Sequence, residues 1–180
     1  MATDRRPIED TTAAGAVASL NVSDGGVPKS PVREVQVTVD GIRGDRQRNR
    51  KYHGGPDRAV CLYSLDRLNA LRAEGHPITV GSTGENVTLS GVAWERVVPG
   101  ARLALGPTVV VEVTGYAAPC RTIRHSFVGG RSTRISQKVA PGWSRVYARV
   151  LREGRVAVGD AVVLRADGAA PARAEGGPGD

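Results

Sequence analysis

"REVQVTV", Arg33 to Val39, alternates strictly: Val35, Val37 and Val39 fall on one face, Glu34, Gln36 and Thr38 on the other. A period of two is the mark of a half-buried strand. Shorter apolar runs of the same kind lie on both sides. They are "VASLNV" (Val17–Val22), "RAVCLY" (Arg58–Tyr63), "ENVTL" (Glu85–Leu89), "ARLAL" (Ala101–Leu105), "TVVVEV" (Thr108–Val113), "SRVYARVL" (Ser144–Leu151) and "AVVL" (Ala161–Leu164). Most end at Gly, Pro or Asp, the residues that turn a chain. One helix interrupts the pattern. Ser64 is placed to cap it, Leu65, Leu68 and Leu71 recur at helical spacing, and Gly75 stops it. A second short helical turn is expected to open at Pro119. Many short strands around one or two short helices predict a mainly β fold, a closed or partly closed β-barrel. Val35, Val37, Val39, Val60, Leu62, Val109, Val111 and Val113 are the expected core. "VVPGARLAL" and "VAVGDAVVL" each read as apolar residues, a Gly turn and a strand, two equivalent corners of the barrel.

Composition narrows the class. The chain has 180 residues, 40% hydrophobic but only 4% aromatic, so its core must be aliphatic. A barrel domain is expected over residues 15–166. The polar start, 1–14, and the Gly- and Ala-rich end, 167–180, read as disordered tails. No apolar run approaches the roughly 20 residues of a membrane span, and the start has no apolar core of a secretory signal. Cytoplasmic location is the expectation, and the two cysteines, Cys61 and Cys120, are expected to be reduced thiols. The net charge of +7 admits an anionic small molecule, nucleic acid or an anionic surface as partner. Its main cluster is "RGDRQRNRK", Arg43 to Lys51.

The residues with chemical potential lie on loops. Cys120 follows the strand end in "YAAPCRTIRH" (Tyr116–His125), with Arg121, Arg124 and His125 close behind. Cations and a helix N-terminus favour a thiolate, which is a nucleophile, a sulfur carrier or a soft-metal ligand. Cys61 has apolar neighbours and reads as a packing cysteine. In "KYHGGPDRAV" (Lys51–Val60), His53 is followed by Gly54 and Gly55, whose N–H groups can form an anion nest, and by Asp57 and Arg58, which can orient each other or a ligand edge. Gly84 precedes Glu85 and Asn86, whose side chains suit the edge of a heterocycle. Lys29 and Asp45 lie on further loops. The histidines, His53, His76 and His125, have no paired spacing and there is no C-x-x-C, so zinc is rejected. No P-loop, dinucleotide fingerprint or G-x-S-x-G occurs.

In this order, "GIRGD", "HGGPDRAVCLYS", "GENVTLSG", "APCRTI" and "VYARVLREGRVAVGD" resemble the MOSC family, named after the C-terminal part of molybdenum cofactor sulfurase. The resemblance runs from Val17 to Leu164 and fits the small stand-alone bacterial members. Gly100-Ala101 departs from the family's frequent Gly-Asp at one corner. The resemblance implies a barrel of the pyruvate-kinase-insert type and a pocket for the molybdenum cofactor, an anionic phosphorylated pterin dithiolene. It implies that Cys120 ligates molybdenum or carries sulfane sulfur, and that the activity is reduction of N-hydroxylated compounds or sulfur transfer. Physical chemistry agrees: a thiolate suits a metal already held by sulfur. Arg58, Arg121 and Lys29 suit the phosphate, and Asp45, Glu85 and Asn86 suit the pterin edge. Cys120 and His53 are the catalytic candidates. Cys120, His53, Arg58 and Asn86 are expected in one pocket.

Three functions follow. The first is a molybdenum-cofactor oxidoreductase, which needs an external electron donor because the chain has no flavin or iron–sulfur motif. The second is a carrier passing a Cys120 persulfide received from a sulfur donor protein. The third, a nucleic-acid-binding barrel, is the weakest, since one Phe, four Tyr and two Trp are scattered along the chain.

Overall fold

The computed structural model describes residues 15–46 and 54–165. The expected tails, and His53 with them, lie outside the described residues. The elements run β1 (Gly15–Val22), β2 (Ser30–Val32), β3 (Glu34–Thr38), β4 (Gly41–Ile42), β5 (Val60–Ser64), α1 (Leu65–Ala73), β6 (Val87–Ser90), β7 (Arg102–Leu105), β8 (Val109–Ala117), β9 (Arg145–Arg152), β10 (Gly154–Ala157) and β11 (Ala161–Arg165). Short 3-10 turns fill several connections, including Arg121–Ser126 and Ser132–Ile135.

Seven strands close on themselves in the order β1, β6, β5, β9, β8, β7, β11 and back to β1. An odd number of strands cannot alternate direction all the way round, so one neighbouring pair must be parallel. That pair is β5 and β6, with Leu62 opposite Val87 and Ser64 opposite Leu89; the others are antiparallel. A parallel pair cannot be joined by a hairpin and needs a crossover, usually a helix. This explains why the fold's α-helix lies between β5 and β6. The Ser64 hydroxyl caps it by accepting from the Arg67 N–H at 3.2 Å, and Leu68 and Leu71 are buried beneath it. Gly75, at φ 94°, ends it.

The barrel interior is aliphatic, as the composition requires. Leu20, Leu62, Val87, Leu89, Leu103, Leu105, Val111, Val113, Val146 and Ala148 are all buried. A second sheet, β10–β3–β4, pairs Val156 with Val35 and buries Val37. Val39 departs from expectation at 48% exposed. The chain turns through Asp40-Gly41 directly after β3, so the alternation continues in sequence past the point where the strand stops. Arg58 is likewise in a 3-10 turn ahead of β5, not in the strand.

Candidate functional site

The site lies on the outer face of the barrel. On β9, Val146, Ala148 and Val150 are buried toward the interior, which leaves Arg145, Tyr147 and Arg149 on the outside. Cys61 pairs with Tyr147 across β5 and β9 and therefore shares that face. Loops from three directions cover it and enclose a cavity of about 690 Å³. Its walls include Val27 and Lys29 from the β1–β2 loop, Thr83, Gly84 and Asn86 ahead of β6, and Cys120 to Ile123 after β8. Cys61, Arg145 and Tyr147 form the floor.

Arg145 ties these walls together. It is 5% exposed. Its guanidinium donates to the Thr83 carbonyl and, at 3.3 Å, to the Ala118 carbonyl two residues before Cys120. The buried Nε has no hydrogen-bond partner among the described residues. No described carboxylate lies within ion-pair distance of Arg145 either. A buried, uncompensated cation is costly unless a counter-charge arrives. Sequence reasoning passed over Arg145, because it occupies an ordinary outward position of an alternating strand.

Cys120 is half-buried at the cavity wall. It sits at the N-cap of the 3-10 turn, so this turn opens two residues later than Pro119. The turn is anchored by Ile123, which is buried. The Cys120 Sγ lies 2.7 Å from the Thr122 hydroxyl. The expected ring of cations is only partly present. Arg121 lines the cavity, whereas Arg124 donates to the Gly130 carbonyl at 3.1 Å and His125 Nδ1 meets the Thr122 carbonyl at 2.9 Å. Cys61 contrasts with Cys120. It is buried, and burial pushes its thiol up to about 11 despite the nearby Arg145.

The expected pterin-edge residues are mostly occupied by the protein itself. Asn86 accepts from the Cys61 N–H at 3.1 Å and donates to Asp45 at 2.9 Å and to the Asn21 carbonyl at 3.3 Å. Asp45 pairs with Lys29 at 2.5 Å, so the charge of Lys29 is already balanced. Glu85 is fully buried and does not line the cavity. Its carboxyl accepts from the Gly81 N–H and the Thr83 hydroxyl, both at 2.6 Å, and burial raises its pKa. Glu85 thereby fixes the 81–84 turn, whose carbonyls receive Lys29 N–H at 2.9 Å and Arg145. Gly81 is required there: at φ 80° a Cβ would lie 2.3 Å from the Lys29 carbonyl oxygen.

Other candidates sit apart. Asp57 pairs with Arg149 at 3.4 Å. Arg58 stacks 5.4 Å over the Tyr147 ring and is not a wall of the cavity. Gly55, next to Gly54, borders a second cavity of about 740 Å³ with Asp40, Asp45 and Arg46. Arg46 borders both cavities. Cys120 and Asn86 thus share one cavity and Arg58 adjoins it through Tyr147, while His53 lies outside the described residues. Among the described residues, no three His, Cys, Asp or Glu side chains cluster as a metal site.

A closed seven-stranded barrel with a thiol and arginines walling a cavity on its outer face defines a class of small β-barrel domain. The chain belongs to the MOSC family: the MOSC domain model matches residues 49–163. It is 32% identical over 136 residues to the uncharacterized protein YflK of Bacillus subtilis, covering 74% of this chain and 60% of that one. It is 32% identical over 132 residues to a protein of Gibberella moniliformis named "Reductase", covering 71% of this chain but 23% of the relative. The chain therefore spans less than two thirds of these relatives' lengths. The crystal structure of YiiM from Geobacillus stearothermophilus matches with a TM-score of 0.64 at 26% identity, over 84% of this chain and 75% of that one. The YUAD protein of Bacillus subtilis matches with a TM-score of 0.69 at 18% identity, over 83% and 94%, a likeness of fold.

Proposed function

We propose that the 690 Å³ cavity binds the molybdenum cofactor and that the protein is a reductase of N-hydroxylated or N-oxide compounds. One observation carries this reading. A half-buried thiol shares its cavity with Arg145 and Arg121, neither of which has a described carboxylate partner. That donor set fits the group. Cys120 offers one soft ligand to a metal that arrives with its own sulfur ligands. Arg145 and Arg121 supply charge and planar N–H forks for a phosphate. When bound, the cofactor supplies two-electron, oxygen-atom chemistry. The chain's own residues do the rest. Thr122 holds its hydroxyl 2.7 Å from the Cys120 sulfur and so orients it. Tyr147 lines the cavity floor and keeps its phenol proton, since burial pushes it up to about 12. Val27 and Ile123 supply the apolar part of the walls. The relative named "Reductase" supports the reaction type.

The test is protein expressed in a host that makes the cofactor. We expect bound molybdenum and turnover of an N-hydroxylated amidine with a reduced viologen dye. Cys120→Ser should lose both, because a serine hydroxyl stays protonated and is a poor soft-metal ligand. Full metal and turnover in that variant would overturn the assignment. A second reading, sulfur transfer, is favoured by the position of Cys120 at a wall reachable from solvent. It predicts a persulfide on Cys120 in the mass spectrum, with turnover absent.

A further inference from the structure

The cavity draws on only part of the longest acid-free stretch of the chain. Between Glu112 and Glu153 there is no Asp or Glu, while eight Arg or Lys occur. Six of these cations are exposed, and four of the six, Arg121, Arg124, Arg131 and Lys138, lie in the connection between β8 and β9. None of the four pairs with a described carboxylate, whereas Arg134 is neutralised by both oxygens of Glu74 at 2.5 and 2.9 Å. Arg124 reaches the Gly130 carbonyl, and the Arg131 N–H donates to the Val128 carbonyl at 3.4 Å, so Arg124, Val128 and Arg131 are neighbours. Val128 is 47% exposed and Val139, beside Lys138, is 67% exposed. The segment begins at Cys120 and Arg121, the wall of the cavity.

We propose that this basic face docks an acidic electron-carrier protein over the cavity mouth. The proposal rests on the reductase reading. Unpaired arginines around exposed aliphatic side chains match the composition of a protein interface and complement an acidic partner. Nucleic acid fits less well. Phe127 is buried, and Trp143 is covered by the guanidinium groups of Arg67 at 4.7 Å and Arg134 at 3.9 Å, so neither offers a ring for base stacking. Two valines give too little apolar area to seat in a bilayer. The chemistry defines what the carrier must bring. Reducing an N-hydroxyl group breaks its N–O bond with two electrons and two protons, giving the N–H compound and water. The electrons come one at a time from the carrier, which is oxidised, and the protons come from solvent.

The experiment uses a flavodoxin as the acidic one-electron carrier, with binding measured by calorimetry at low and raised salt. Wild-type protein should bind at low salt and weaken about tenfold or more as salt screens the contact. Arg131→Glu with Lys138→Glu, both exposed and outside the cavity, should weaken binding by a similar factor. That variant should also lose flavodoxin-driven turnover while keeping viologen-driven turnover. Salt-independent binding, unchanged affinity on charge reversal, or tighter binding of a short DNA duplex or of anionic vesicles at the same salt would overturn the proposal. If docking behaves as expected but neither donor supports turnover, the docking face stands and the reductase reading falls.

Discussion

Cys61 and Cys120 wall one cavity, yet their chemistry should differ. Cys61 is buried against the β9 floor with its thiol raised to about 11, while Cys120 is half-buried beside a hydroxyl. Iodoacetamide at neutral pH should therefore modify Cys120 in the native protein and leave Cys61 unmodified until the pH nears that value. Peptide mass spectrometry decides it, and early labelling of Cys61 would contradict the burial described. Cys61→Ser places a hydroxyl at a buried position, at a cost of about 1–3 kcal/mol. Cys120→Ser should cost about 1 kcal/mol or less; comparing their denaturation midpoints checks the contrast. Glu85 makes a prediction with a definite sign. Its folded pKa lies above the ordinary 4.5 because burial disfavours the carboxylate. Below 4.5 both folded and unfolded chains hold the proton. Above it the unfolded chain releases a proton that the fold retains, so stability falls as pH rises toward the folded pKa. Glu85→Gln keeps the acceptor for Gly81 and can donate to Thr83, so it should remove that fall. Denaturant titrations from about pH 4 to pH 8 would show the two curves diverging with rising pH; parallel curves would refute it.

At the scale of elements, the crossover is the feature that sequence displayed best. Ser64, the leucines and Gly75 are local signals, and each does in the fold what its spacing implied. Ser64→Ala removes the acceptor for the Arg67 N–H and should cost about 1 kcal/mol, or roughly 2–4 °C in Tm for a domain of this size. Strand order should be preserved, which circular dichroism and a thermal melt check together. The strands were legible for the same reason: valine alternation is written locally. What was not legible depends on distant segments meeting. Arg145 and Arg149 hold equivalent outward positions on β9, yet Arg145 is buried and Arg149 is exposed. The difference arises because residues near Thr83 and Ala118 close over one and not the other, and no local pattern encodes that. Asn86, Glu85, Asp45 and Lys29 read in the sequence as polar groups on loops. The structure shows that they bind one another and the backbone, so they hold the cavity walls in place. The acid-free run that follows Cys120 was readable in the sequence, but its exposure was not.

For the whole molecule, closure is the decisive event, and it depends on a short seam. The barrel closes where β1 meets β11 through only two strand pairs, Gly15 with Val162 and Ala16 with Ala161. Two backbone bonds extend it, Val17 N–H to Asp160 at 2.9 Å and Gly159 N–H to Val17 at 2.8 Å. Gly15 allows β1 to lie against the end of β6: a Cβ there would sit 2.0 Å from the Ser90 carbonyl oxygen and 2.9 Å from the Val92 side chain. The nearest obstacle is backbone, which cannot rotate away as a side chain can. Gly15→Ala should therefore push the start of β1 off both neighbours, at a cost of about 1–3 kcal/mol, the usual scale of overpacking. The damage should stay at the seam. β8 and β9 pair over seven residue pairs across the barrel and carry Arg145 and Tyr147, so the cavity floor should persist. Amide hydrogen exchange separates the two regions. In Gly15→Ala, exchange should quicken at Val17, Gly159 and along β11, while β9 remains protected. Equal loss of protection in β9 would mean that closure and the cavity floor form one cooperative unit. Unchanged exchange at Val17 and Gly159 would mean that the Gly15 contact does not hold the seam shut.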